Sequence, residues 1–308
     1  MFLFNNNSHN EKPLVIHISI DGWRPETIKE MPQISKLITE GFCTLNCKSD
    51  PEHTNTLPNH ISQLTSVPVS EHKWTTNFPN KCIKTDIHIN KKGFQHSIFS
   101  HLESKKIKTG LVIQKERLYR LIVDSYPEIS NHKNIDSHHF PSYGTKETFD
   151  YLFQQIKKTD ITYYFVHLQG PDLVGHHDKL KKGEPYRPWG FNPLNKNMIQ
   201  TLKVIDEQIG NLRKLLIKVK KNRKTMLLIS SDHGGIADSN DHYADPSNPQ
   251  NNTIPMILWG TDIFNNKKVD MNHKIMNRYI GNFVCKFLDI DKIKDTTDDA
   301  FAEYDKLF

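Results

Sequence analysis

Residues 14–22 read LVIHISIDG, a nearly continuous run of apolar and β-branched residues that ends in Asp21 and Gly22. A run of this kind predicts a central strand that is buried on both faces of a parallel sheet. Open α/β sheets bind their ligands at the carboxyl ends of their strands. Asp21 is therefore either a ligand-binding carboxylate or a residue that caps the turn after the strand.

Similar apolar runs recur along the chain and alternate with segments of helical spacing. We predict further strands at residues 110–113, 163–168, 225–230 and 255–259. We predict helices at residues 32–41, 94–104, 145–157, 197–219 and 273–288, and one directly after Thr56. Strands that alternate with helices predict a doubly wound α/β fold, with a mostly parallel central sheet and helices on both faces.

The composition is that of a globular protein. The chain has 308 residues, of which 36% are hydrophobic and 25% are charged. This length is sufficient for one large α/β domain with a substantial core. We predict a disordered polar lead at residues 1–12 and a single catalytic domain at residues 13–308.

The charge pattern favours small anionic partners over nucleic acid. The formal net charge is +6, and the densest basic run, residues 213–224, is interpreted as a solvated helix end.

The sequence contains no apolar run that approaches the length of about 20 residues needed to span a membrane. The N-terminus is too short and polar for a secretory signal, so the default expectation is a cytoplasmic protein, with non-classical export as the alternative. The oligomeric state is left open.

A second informative segment is TNTLPNH, residues 54–60. Pro58 suits the first position of a helix, and Ile61 and Leu64 follow at helical spacing. The N-terminus of a helix attracts anions through its unpaired N–H groups and its dipole. Thr56 is therefore either the cap of this helix or a nucleophile that faces a phosphate group.

Acidic and imidazole side chains follow three of the predicted strands. They are Asp21, Asp172 with His176, and Asp232 with His233. Carboxylate oxygen and imidazole nitrogen are ligands that zinc and similar ions accept. A single such residue is usually structural, but several at successive strand ends predict a metal site.

Four motifs carry a resemblance to a known family. They are IDGWRP at 20–25, TLPNH at 56–60, PDLVGH at 171–176 and SDHGG at 231–235. With these motifs in this order, the chain resembles the alkaline phosphatase superfamily, and within it the type I phosphodiesterase / nucleotide pyrophosphatase group. The resemblance implies an alkaline phosphatase-like catalytic domain with two zinc ions, or other divalent ions in their place.

The resemblance also implies the ligands of the two ions. One ion would be held by Asp172, His176 and a later histidine, for which we favour His242 over His177 and His273. The other ion would be held by Asp21, Asp232 and His233, with Thr56 reaching it as the nucleophile.

The implied activity is hydrolysis of phosphodiester or nucleotide pyrophosphate bonds through a phosphothreonine intermediate. The backbone N–H of Leu57 and the side chain of Asn59 would bind a phosphate oxygen. Trp74, Tyr186 and Trp189 either line the substrate pocket or simply pack.

The expected partner is a small phosphate ester such as a nucleotide. The alternatives are a phosphomonoesterase or phosphonate hydrolase of the same fold, and a non-catalytic metal-binding module. A sulfatase is disfavoured because its nucleophile arises from Cys or Ser, where this chain has Thr56.

Overall fold

A computed structural model describes most of the chain. The described residues are 11–77, 89–90, 93–115, 117–118, 137–139, 144–177, 189, 194–219, 221–237, 241–261 and 271–307. None of the helices within these ranges is both long enough and apolar enough to cross a membrane.

Eight of the ten described strands form one mixed sheet, in the order β10-β2-β9-β8-β1-β7-β5-β6. Their pairs are parallel except those of β9, which runs antiparallel to β8 and β2. β3 and β4 form a separate antiparallel pair. The strands are β1 (Glu11–Ile20), β2 (Phe42–Lys48), β3 (Ile89–Asn90), β4 (Gly93–Phe94), β5 (Thr109–Ile113), β6 (Ser137–His139), β7 (Tyr163–Leu168), β8 (Arg223–Ser230), β9 (Thr253–Gly260) and β10 (Ile275–Met276).

Helices cover both faces of the sheet. They are α1 (Pro32–Glu40), α2 (Thr56–Thr65), α3 (Val69–His72), α4 (Ile98–Ser104), α5 (Thr145–Lys158), α6 (Gly170–His177), α7 (Lys196–Val219), α8 (Pro249–Asn252), α9 (Ile280–Phe287) and α10 (Ala300–Leu307). Short 3-10 helices occur at Pro25–Glu30 and Asn277–Tyr279.

The burial of both faces of β1 explains why its sequence is almost entirely apolar. Leu14, Ile16 and Ile18 belong to a core shared with α1, α5 and α7. Val15, on the opposite face, belongs to a core shared with α2, α4 and α9. Because both faces of the strand are buried, the sequence shows no alternation between apolar and exposed positions.

The predicted fold class is confirmed, and several boundaries are corrected. β1 begins at Glu11, so the predicted polar lead extends at most to residue 10, and residues 1–10 lie outside the described ranges. The single helix predicted at 273–288 is instead β10, a 3-10 turn and then α9. The prediction missed β2 and α10. The assignment of residues 13–308 to a single domain stays a prediction.

The strand order creates the site. β8, β1, β7 and β5 are consecutive and parallel. Their carboxyl ends therefore meet along one edge of the sheet, where the residues that follow each strand come together.

Candidate functional site

Three aspartates converge at this edge. Asp21 directly follows β1, Asp232 follows β8, and Asp172 lies in the first turn of α6, after β7. The amide of Asp172 donates to the carbonyl of Asp21 at 3.0 Å, and the amide of Gly22 donates to Asp232 Oδ1 at 3.2 Å. All three side chains are at least nine-tenths buried.

Gly22 makes this close approach possible. Its φ is +70°, and a Cβ at this position would lie 3.1 Å from the Cα of Asp172. Both the left-handed backbone and the crowding exclude other residues. The turn between β1 and the site thus favours glycine at position 22.

His233 lies among the three carboxylates. Its Nε2 is 3.3 Å from Asp21 Oδ1, 3.3 Å from Asp232 Oδ2 and 3.9 Å from Asp172 Oδ1. Its Nδ1 donates to the carbonyl of Gly234 at 2.8 Å. This bond fixes the ring orientation and directs Nε2 towards the carboxylates, which is the arrangement usual for a metal-binding histidine.

Two more histidines surround Asp172. Its Oδ1 is 3.2 Å from His176 Nε2 and 3.6 Å from His242 Nε2. His242 Nδ1 donates to the carbonyl of Thr54 at 2.6 Å, and its ring stacks on that of His233 with a centroid distance of 3.5 Å. The backbone bond again leaves Nε2 directed into the site.

The geometry yields two overlapping groups of potential metal ligands, whose ligand atoms lie within 4.8 Å of one another. They are Asp172 with His233 and His242, and Asp21 with Asp232 and His233. His233 is thus shared, whereas the sequence analysis assigned it to one ion. The structure therefore brings together every aspartate and histidine that we favoured as a ligand.

His273 and His177 are the alternatives to His242 as the last histidine ligand. His273 forms a short contact with Glu303 on α10, and it therefore has a partner away from the carboxylates. The side chain of His177 lies outside the described residues.

Three carboxylate oxygens indicate that the site suits a cation. Asp21 Oδ1, Asp172 Oδ1 and Asp232 Oδ2 are buried and accept no hydrogen bond within the described part of the chain. A buried charge without such a partner is costly unless a cation compensates it. Carboxylate and imidazole groups at these distances fit Zn²⁺ or a similar divalent ion.

Lys115 also enters the site, which the sequence analysis did not anticipate. Its Nζ is 2.6 Å from Asp21 Oδ2, 2.9 Å from Asp172 Oδ2 and 3.1 Å from Thr56 Oγ1. Lys115 follows β5 by two residues. The short strand predicted at 110–113 also has its carboxyl end at this edge of the sheet, so the position of Lys115 just after that strand was the available signal.

The pKa values reflect a surplus of negative charge. Burial, reinforced by Asp21, raises the pKa of Asp232 to about 8. Burial alone would lower the pKa of His233, but Asp232 and Asp21 raise it to about 9. Burial opposes ionisation of Asp21 as well, yet Lys115, a hydrogen bond from His167 and the nearby His233 ring hold its pKa well below the ordinary value. The cluster therefore favours cations over neutral groups.

His167 is another residue that the sequence analysis missed. It is the penultimate residue of β7, is fully buried, and places Nε2 3.0 Å from Asp21 Oδ2. A histidine within an otherwise apolar strand was the available signal.

His60 supports the site from α2, since its ring contacts Ser19 Oγ at 2.9 Å and the carbonyl of Thr56 at 2.8 Å.

Thr56 is the first residue of α2, and Asn55 occupies the cap position. The alternative that Thr56 caps the helix is therefore wrong, as is the placement of Pro58 at the first helical position. Pro58 is instead the third residue, where an N–H would still have no partner within the helix. Thr56 Oγ1 faces the site, 3.4 Å from His233 Nε2 and 3.1 Å from Lys115 Nζ.

The two groups predicted to bind a phosphate oxygen are engaged elsewhere. Asn59 is fully buried; its Nδ2 donates to the carbonyls of His53 and Asn55, and its Oδ1 accepts from the amide of Asp50. The assignment of Asn59 to substrate is therefore corrected, because its amide is part of the loop before α2.

Asn77 contacts the N-terminus of α2, where we predicted that Asn59 would bind a phosphate oxygen. Its Oδ1 accepts the amide N–H of Leu57 at 2.9 Å, so the predicted Leu57 donor has an internal partner. This bond holds the Asn77 side chain at the N-terminus of α2, against the backbone of the residue that follows Thr56. Asn77 is twenty-one residues beyond Thr56, and no local pattern in the sequence distinguishes it.

The predicted aromatic contacts are also corrected. Trp74 is 5% exposed and Trp189 is 1% exposed, so neither lines an open pocket. Trp189 instead packs on Gly175 and Gly235, where a Cβ would collide with the indole ring. Tyr186 lies outside the described residues.

Comparison with known proteins identifies relatives over most of the chain. The family model for type I phosphodiesterase / nucleotide pyrophosphatase matches residues 15–256. The chain is 25% identical to human bis(5'-adenosyl)-triphosphatase ENPP4 over 250 residues, which are 77% of this chain and 51% of that protein. It is 26% identical to GPI ethanolamine phosphate transferase 1 of Emericella nidulans over 106 residues, which are 34% of this chain and 10% of that protein. The chain thus spans about half of the first relative and about a tenth of the second.

Solved structures share the fold. Murine ectonucleotide pyrophosphatase / phosphodiesterase 5 superposes with a TM-score of 0.63 at 14% identity, covering 96% of this chain and 99% of that one. An inactive variant of that protein was solved in complex with AMP. The periplasmic domain of EptC from Escherichia coli, solved in complex with Zn, superposes with a TM-score of 0.57 at 14% identity, covering 93% of this chain and 85% of that one.

Proposed function

Because the chain belongs to the type I phosphodiesterase / nucleotide pyrophosphatase family, we propose that it is a zinc-dependent enzyme that cleaves phosphodiester or nucleotide pyrophosphate bonds. The reaction proceeds through a phosphothreonine intermediate on Thr56. The substrate is a small phosphate ester, and a nucleotide is the leading candidate.

The observation that carries this proposal is the position of the Thr56 hydroxyl. Oγ1 lies 3.4 Å from His233 Nε2, the atom common to both groups of potential ligands. It also lies at the first residue of a ten-residue helix, where N–H groups and the helix dipole favour an anion. A hydroxyl, a cation site and an anion site thus coincide.

The residues fit two divalent ions. Asp172, His176 and His242 would hold one, and Asp21, Asp232 and His233 would hold the other. When bound, such ions stabilise the charge that develops on the oxygens around phosphorus and favour the ionised form of an adjacent hydroxyl.

The chain's own residues provide the covalent chemistry. The Thr56 hydroxyl loses its proton to solvent, its oxygen forms a bond to phosphorus, and the bond from phosphorus to the oxygen of the leaving alcohol or phosphate breaks. Asn77, held against the Leu57 amide, donates from its NH₂ group to a phosphoryl oxygen and stabilises the charge there. Water then breaks the bond between Thr56 Oγ1 and phosphorus, releases the remaining phosphomonoester (a nucleoside monophosphate for a nucleotide substrate) and restores the hydroxyl.

A second candidate is transfer of the phosphoryl group to an alcohol instead of water. The match to GPI ethanolamine phosphate transferase 1 supports this alternative. The two reactions share the step on Thr56 and differ only in the acceptor, so the same site serves either.

The test compares zinc-loaded wild type with Thr56→Ala and, as a matched control, Thr39→Ala in the exposed part of α1. The substrates are bis(p-nitrophenyl) phosphate and p-nitrophenyl phosphate. We expect wild type and the control to cleave the diester, and Thr56→Ala to lose about a thousandfold or more. A preference for the monoester would assign the chain to the phosphatases. Formation of a phosphate ester of an added alcohol would favour transfer over hydrolysis. Zinc binding without turnover of either ester would contradict the proposal and favour a binding module.

A further inference from the structure

Lys115 is a charged group at the nucleophile that none of the four sequence motifs includes. Its ammonium contacts one oxygen of Asp21, one oxygen of Asp172 and the Thr56 hydroxyl, at 2.6, 2.9 and 3.1 Å. The side chain is 21% exposed, so it is reachable from solvent while it is held by two carboxylates.

The ammonium and the potential metal ligands use different carboxylate oxygens. Lys115 contacts Oδ2 of Asp21 and of Asp172. Oδ1 of Asp21 faces His233 Nε2 at 3.3 Å, and Oδ1 of Asp172 faces His176 Nε2 at 3.2 Å. Because the two sets of atoms are distinct, Lys115 can keep its position when the histidine side of the site holds cations.

The position of Nζ relative to Thr56 defines what it can reach. An ammonium has three N–H donors, and two of them are directed to the aspartates. The third is directed to Thr56 Oγ1 at 3.1 Å. When Oγ1 attacks phosphorus, the oxygens bonded to that phosphorus lie next to Oγ1. The donor that faces Oγ1 in the free protein is therefore within reach of one of them.

We propose that Lys115 binds an oxygen of the substrate's phosphoryl group, and that it contributes more to the binding of substrates with more than one negative charge at or beside the attacked phosphorus than to the binding of singly charged ones. Pyrophosphates and phosphomonoesters belong to this class, whereas a simple diester carries a single charge. The inference rests on the proposed function, because it assumes attack by Thr56.

The charge balance supports this selectivity. With two divalent cations bound and the histidines neutral, the three aspartates and the Lys115 ammonium would give the site a net positive charge. A doubly charged phosphoryl group neutralises that charge more completely than a singly charged one. In a buried site such a difference in charge has a large effect on binding.

The experiment uses the full-length zinc-loaded protein and the variant Lys115→Met, which keeps the length of the side chain and removes its charge. Lys105→Met is the matched control, because Lys105 pairs with Asp291 at the surface. Three quantities are measured: kcat/KM for p-nitrophenyl phosphate and for bis(p-nitrophenyl) phosphate, the Kd for inorganic phosphate by calorimetry, and zinc content per chain.

We expect Lys115→Met to weaken phosphate binding and monoester hydrolysis by about ten- to a hundredfold. Diester hydrolysis should fall less, and zinc content should not change. Lys115→Arg, which keeps the charge, should retain most of the phosphate affinity, and the control should match wild type.

Unchanged phosphate affinity together with equal losses on both esters would overturn the inference. A fall in zinc content would also overturn it, since Lys115 would then only hold the carboxylates in place. If wild type binds zinc but cleaves neither ester, the proposed function fails, and phosphate binding still decides whether Lys115 recognises the anion.

Discussion

Asn59 and Asn77 both lie near the N-terminus of α2, but their side chains have different partners. Asn59 is fully buried and bonds the loop that precedes the helix. Asn77 is half-buried and bonds only the Leu57 amide among the described residues. The first arrangement stabilises the loop, and the second leaves an amide group beside Thr56.

Replacement of these two asparagines should therefore separate catalysis from stability. Asn77→Ala should lower kcat by about a hundred- to a thousandfold, because one donor to the phosphoryl oxygen is lost, while Tm and zinc affinity stay near wild type. Asn59→Ala should lower the free energy of unfolding by about 1–3 kcal/mol, since it leaves buried backbone groups unpaired. Steady-state kinetics and thermal unfolding of both variants test this, and the reverse pattern would restore Asn59 as the residue that binds substrate.

At the scale of elements, α6 carries two of the potential metal ligands. Its first turn carries Asp172 and its next turn carries His176. Trp189 packs between Gly175 of this helix and Gly235, which follows β8, and its carbonyl accepts from Arg24 Nη1 at 2.7 Å. The indole ring thus sets the distance between α6 and the turn that carries His233.

A side chain at Gly175 should disturb this spacing. Gly175→Ala places a methyl group against the Trp189 ring, so α6 must shift and carry Asp172 and His176 away from His242. We expect loss of the ion held by Asp172, His176 and His242, with zinc affinity reduced about ten- to a hundredfold. The adjacent Val174→Ala is the control, and calorimetric zinc titration is the measurement. Equal zinc affinity in both variants would show that the packing does not govern the site.

The sequence predicted the elements whose residues are buried on both faces and missed those defined by their neighbours. β7 occurs with the predicted boundaries because its six residues are all buried. β2 was missed because it lies near the edge of the sheet and mixes polar with apolar residues. Lys115 and Asn77 were missed for a related reason: their roles depend on which strands and loops become neighbours, and a single sequence does not determine strand order.

At the scale of the whole molecule, the sheet order explains why distant motifs form one site. Asp21, Asp172 and Asp232 are up to 211 residues apart in the chain, yet they follow the adjacent strands β1, β7 and β8. Folding therefore brings negative charges together in a buried place, at a cost that bound cations would offset. Zinc should accordingly stabilise the folded protein as well as activate it.

The most direct test of this account is the number of zinc ions bound per chain, measured by equilibrium dialysis and elemental analysis for wild type, His242→Ala and His273→Ala. We predict two ions in wild type and in His273→Ala, because His273 pairs with Glu303 away from the carboxylates. His242→Ala should retain one ion, since His242 Nε2 lies 3.6 Å from Asp172 Oδ1. A wild-type protein without bound zinc, or a His242→Ala variant that binds as wild type does, would contradict the account.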